Sequence, residues 1–89
     1  MTDTNDPVLD FPCQFPIKAM GRSDAAVAER VVDIVGRHAG EVASDCVTTA
    51  YSRSNRFVSV TVTIEAHSRE QLDAIYRELT GCREVLIAL

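Results

Sequence analysis

Gly21, Arg22, Ser23 and Asp24 stand in a row between an apolar run and the start of a helical stripe. Backbone amides at a helix start carry partial positive charge and can receive an anion, and the Arg22 guanidinium could add a fork to that site. The chemistry expected there is anion or small-ligand binding. The same residue types also serve plain geometry and solubility in strand-to-helix turns, and that structural reading takes precedence. His38 falls in the last turn of a helix and His67 just ahead of a helix cap, without a carboxylate or cysteine at catalytic or ligand spacing, so no catalytic residue is named. Cys13, Cys46 and Cys82 are an odd number at wide spacing, with no CxxC pattern and no Cys/His cluster. They are expected to be free thiols, with no metal and no cofactor.

The elements that position these residues follow from periodicity. Residues 1–8 are acidic and aperiodic, the expected signature of a disordered tail, and residues 9–89 form one domain. Leu9–Pro16 (LDFPCQFP) reads as an extended arm, because Pro12 and Pro16 each bias the preceding residue towards extended geometry. Phe15–Met20 reads as a strand with Ile17 and Ala19 on one face and Lys18 and Met20 on the other. Ser23 is the expected cap of a first helix whose stripe is Val27, Val31, Ile34 and Val35, ending before Gly40.

Cys46–Ser52 is a β-branched and aromatic strand, followed by a polar hairpin loop at residues 53–56. In Phe57–Ala66, Val58, Val60, Val62 and Ile64 alternate with Ser59, Thr61, Thr63 and Glu65, which predicts one dry and one wet face. Ser68 and Gln71 make a capping box for a second helix with the stripe Leu72, Ile75, Tyr76 and Leu79, stopped by Gly81. Val85–Leu89 closes the chain as a short apolar strand. The order βαββαβ, with right-handed crossovers, predicts an α+β ferredoxin-like sandwich: a four-stranded antiparallel sheet, strands one and three central, with two helices on one face. The other face is expected to present Lys18, Met20, Thr48, Ser59, Thr61 and Thr63.

Composition narrows the function classes. Eighty-nine residues allow one core with little to spare for a deep pocket. A net charge of −4 argues against nucleic acid, which calls for clustered Lys and Arg. The hydroxyl-bearing strand also lacks the stacking aromatics of an RNA-binding sheet. No apolar run approaches the roughly 20 residues of a membrane span, and the first residues lack a signal peptide's pattern, so no membrane association and a cytoplasmic address are expected. Phe11, between Asp10 and Pro12, is a costly side chain to leave in water. It therefore joins Lys18, Met20, Ser59, Thr61 and Thr63 as a candidate partner or self-association surface, the alternative being that it packs on its own domain.

Several segments together carry a family likeness. They are LDFP; F-x-x-K-A-M-G at Phe15–Gly21; V-x-x-I-V-x-R-H-A at Val31–Ala39; S-x-S-N-R-F-x-S-V-T-V-T at Ser52–Thr63; and E-Q-L-x-x-I-Y-x-E-L at Glu70–Leu79. In collinear order they resemble the YbeD-like family of small bacterial proteins. The resemblance implies a fold like the regulatory ACT domain, no catalytic activity, and a link to lipoate metabolism. The chain departs from the family pattern at Cys13, at Cys82 and in its longer acidic start, so no family role carries over to those thiols.

Three functions follow as expectations. The first is a non-catalytic regulatory or adaptor domain acting through surface contacts. The second is an ACT-like small-ligand sensor at Gly21–Asp24. The third, an acylphosphatase-like hydrolase, would use Arg22 with Asn55 to position water. Asn55 sits in a hairpin tip, where polar residues ordinarily serve the turn, and this disfavours the enzyme.

Overall fold

The computed structural model describes residues 10–89. The expected tail, residues 1–8, and Leu9 lie outside the described residues. Seven elements follow in order: β1 (Cys13–Arg22), α1 (Val27–Ala39), a 3-10 turn (Ser44–Cys46), β2 (Val47–Tyr51), β3 (Phe57–Ala66), α2 (Arg69–Thr80) and β4 (Ile87–Ala88). The sheet is antiparallel in the order β2-β3-β1-β4, so β1 and β3 are central as the alternation and crossovers predicted.

The core lies between this sheet and the two helices. Ile17 and Ala19 of β1 and the even-numbered residues Val58–Ala66 of β3 bury against Val27, Val31, Ile34 and Val35 of α1 and Leu72, Ile75 and Leu79 of α2. Both helical stripes are thus the buried ones, and the β3 alternation separates core from surface residue by residue. Burial at this level contributes about 1.5–3 kcal/mol per large aliphatic side chain, so the paired stripes and valines are the main source of stability.

Four elements differ from expectation in their boundaries, each for a local reason. β1 begins at Cys13, because residues 13–22 pair continuously with residues 66–57 of β3. The expected arm is therefore not a separate element: Cys13–Pro16 belong to β1, and Phe11 and Pro12 form a bend ahead of it. Pro16 is accommodated mid-strand because Lys18 and Leu89 exchange backbone bonds on the far side from β3. Even-numbered residues of β1 thus point their backbone groups away from β3, and Pro16 interrupts no ladder bond.

The first helix starts at Val27 with Ala26 as its cap residue, and Ser23 does not cap it. The β2–β3 hairpin holds Ser23 instead: its amide donates to the Arg56 carbonyl (2.7 Å) and its hydroxyl to the Asn55 carbonyl. β2 begins at Val47, after the 3-10 turn that takes in Cys46. β4 is a two-residue ladder where a five-residue strand was expected, although Leu86 and Leu89 also bond to β1.

The second helix matches its sequence signals closely. The Ser68 hydroxyl accepts from the Gln71 amide (3.0 Å), and Gln71 Oε1 accepts from the His67 amide (2.7 Å). Gln71 Nε2 also donates to the His38 carbonyl (3.0 Å), so one side chain caps the start of α2 and the end of α1. Tyr76 donates its hydroxyl to the Leu89 carbonyl, tying α2 to the end of the sheet.

Candidate interaction surface

The expected Gly21–Asp24 turn is shorter than the sequence suggested: Gly21 and Arg22 are the last residues of β1, paired with Val58 and Phe57, and the turn begins at Ser23. Gly21 is buried, and a Cβ there would collide with the Glu84 carbonyl and the Val27 side chain. Its glycine is explained by this crossing of three segments. Arg22 and Asp24 are exposed and pair with each other, Nε to Oδ1 at 3.2 Å and Nη2 to Oδ2 at 3.3 Å. The side-chain hydrogen bond and charge of each partner raise the Arg22 pKa and lower that of Asp24. The Ser23 amide bonds Arg56 and the Ala25 amide bonds Arg22. An anion arriving here would meet a guanidinium already engaged, an adjacent carboxylate, and a helix whose first residue is Val27. Asn55 presents its carbonyl to Ser23 and occupies the hairpin with φ 62°, a turn role.

The open face of the sheet brings together most of the remaining candidates. Met20 lies opposite Ser59, Lys18 opposite Thr61, and Thr63 opposite Pro16. On the β2 side, Thr48 faces Thr61 and Ala50 faces Ser59. Phe11 is not among them. It is half-buried and packs against the core cluster together with Cys13 and Phe15.

Sequence reasoning missed three large apolar members of this face. Phe57 lies opposite Arg22, Ile87 opposite Met20, and Leu89 exchanges bonds with Lys18. Phe57 was recoverable, since it sits two residues before Ser59 and shares its face. Ile87 and Leu89 depended on the β4 register, which no local signal announces. Ile87 is 51% exposed and Leu89 67%, so the face has an apolar end around Met20, Phe57, Ile87 and Leu89 and a hydroxyl-rich middle. Beside it a shallow groove of about 210 Å³ runs between Met20, Ala50, Tyr51 and Phe57.

The helix side carries the charged chemistry. A groove of about 250 Å³ is lined by Arg30, Asp33, Ile34, Arg37, Glu78, Cys82 and Glu84. Arg37 reaches Asp33 (3.3 Å) and Glu78 (3.4 Å), and Arg30 reaches Glu84 (3.8 Å). The Cys82 thiol donates to Glu84 Oε1 (3.4 Å), which with backbone bonding and the Arg30 and Arg83 charges holds the Glu84 carboxyl below its ordinary range. A thiol beside a carboxylate is not activated as a nucleophile. His38 Nε2 and Glu78 Oε1 lie 3.4 Å apart, shielded from water but outside hydrogen-bond geometry. Among the described residues no group of His, Cys, Asp and Glu is arranged to hold a metal ion, and Cys13, Cys46 and Cys82 are all free thiols. Among the described residues no helix is long and apolar enough to cross a membrane.

Comparison with known proteins gives a consistent answer. Residues 6–89 match the family described as "Protein of unknown function (DUF493)". A UPF0250 protein of Paraburkholderia phytofirmans is 44% identical over the whole of both chains. A UPF0250 protein of Chromobacterium violaceum is 40% identical over 91% of each. Among solved structures, the solution structure of protein HP0495 from H. pylori superposes with a TM-score of 0.67, covering 98% of this chain and 91% of that one, at 14% identity. That likeness is one of fold.

Proposed function

The chain belongs to the DUF493/UPF0250 family, the YbeD-like small bacterial proteins, and from that premise we propose that it is a non-catalytic regulatory or adaptor domain acting by protein contact through its open sheet face. One observation carries the reading: Met20, Phe57, Ile87 and Leu89 cluster on the side of the sheet that no helix covers, rimmed by Lys18, Ser59, Thr61 and Thr63. A contiguous apolar area with a polar rim is the usual make-up of a contact surface.

The charged groove between the helices supports the same view from the other side. Its cations face carboxylates already within reach, so it offers no unspent charge to polarise a substrate. The Arg22–Asp24 pair likewise speaks against an anion sensor or an acyl-phosphate hydrolase at the turn. The lipoate connection implied by the family resemblance puts enzymes of lipoate attachment first among the partners to test. A photo-crosslinking side chain at position 18, on the open face, should yield discrete adducts in cells, whereas the same side chain at Glu29 on the outer face of α1 should not. Silence at position 18, or equal labelling at both, would sink the proposal.

A further inference from the structure

The two long edges of the sheet are guarded unequally. On the β1 side, the even-numbered residues turn their backbone groups outward, so the positions left beyond β4 are Gln14 and Pro16. Pro16 offers no N–H, a common way of blocking strand addition. The β2 edge has no such device. Its five residues read Val-Thr-Thr-Ala-Tyr, without proline or charge. The Ser52 amide bonds the Phe57 carbonyl, which turns the even-numbered residues of β2 towards β3 and leaves Val47, Thr49 and Tyr51 directed outward. The Val47 amide is taken by Ser44. The amides and carbonyls of Thr49 and Tyr51 and the carbonyl of Val47 have no hydrogen-bond partner among the described residues. Tyr51 is also 62% exposed.

The geometry points to a second copy of this chain as the occupant of that edge, pairing β2 antiparallel with its counterpart about a two-fold axis at Thr49. Thr49 then exchanges both backbone bonds with Thr49 of the second copy, and each Tyr51 amide donates to the opposing Val47 carbonyl. Val47 and Tyr51 become a cross-strand aromatic and β-branched pair, which is a favourable combination. The arrangement is self-complementary, as a two-fold interface requires, and joins the two sheets into one. Charge favours the same site: in a protein of net charge −4, an uncharged strip lets two copies approach without like charges meeting. This surface is separate from the open face, so the two proposals stand or fall independently.

Sedimentation of the full chain tests it. Wild type should show a concentration-dependent species of twice the 9.8 kDa chain mass, reverting to the single chain on dilution. Thr49→Glu and Thr49→Lys should each be reduced to the single-chain mass, because like charges then face each other across the axis. An equimolar mixture of the two should recover the doubled mass. Thr49 is exposed, so both variants should keep the wild-type amide spectrum; should either lose it, Tyr51→Lys reads the same loss of dimer. A wild-type chain of single mass at every concentration overturns the inference, and so does a dimer that persists in both charged variants.

Discussion

The helix side and the open side of the sheet are built from alternate residues of the same strands, yet they relate to the rest of the chain in opposite ways. Val58, Val60, Val62 and Ile64 are buried against helices, and the charges bordering that layer find partners in Asp33, Glu78 and Glu84. Ser59, Thr61 and Thr63, one residue away along β3, meet neighbouring strands and solvent, with apolar side chains gathered at one end. The contrast teaches that buried and exposed roles have been separated by strand parity. Substitutions on one face should unfold the protein, and those on the other should leave it folded and change what it meets.

The sharpest way to break this comparison uses one residue type on both sides. Ile75 is fully buried and Ile87 is half exposed on the open face. Ile75→Ala should lower stability by about 3 kcal/mol in urea unfolding, through lost burial and the cavity left behind. Ile87→Ala should change it by about 0.5 kcal/mol or less, as expected of surface positions. Equal losses at the two positions would erase the distinction.

Gly21→Ala comes next. The added methyl meets the Glu84 carbonyl and the Val27 side chain, and overpacking of this kind costs about 2 kcal/mol, seen as a lower midpoint of thermal unfolding. Gln71→Ala should cost about 1 kcal/mol, because one side chain serves the His67 amide and the His38 carbonyl together.

A smaller effect lies with Tyr76, whose phenol is pushed above its ordinary pKa by burial. A raised folded-state value means that its contribution is fully present below the unfolded pKa and is lost as pH rises through the folded one. Wild type should therefore lose stability at alkaline pH more steeply than Tyr76→Phe, measured by unfolding across that range. The smallest change belongs to Arg37→Ala. Its pair with Asp33 is exposed and its pair with Glu78 only partly buried, so the expected loss is about 0.5 kcal/mol, shrinking further in salt.

Where the sequence was readable, one residue's role depended on its immediate neighbours. The α2 cap at Ser68 and Gln71, the stop at Gly81 and the β3 alternation all express period and capping within a few positions. Ser23 looked like a cap for the same local reason. It proved to be held by Asn55 and Arg56, residues far along the chain that the hairpin carries to it. Phe11 is a second case: its type announced that it would avoid water, but its sequence position could not say whether a partner or the protein's own core would cover it.

The chain's amino-acid order alone determined the succession of elements, the buried stripes and the central placement of β1 and β3, since period, capping and crossover handedness act locally or by general rule. Tertiary structure alone decided that Ser23 is held by the β2–β3 hairpin instead of capping α1, that Ile87 and Leu89 join Met20 on the open face, and that β2 rather than β1 presents the unguarded edge. Those outcomes depend on register and on contacts between distant segments. They arise when the sheet closes, and a window of neighbouring residues holds no trace of them.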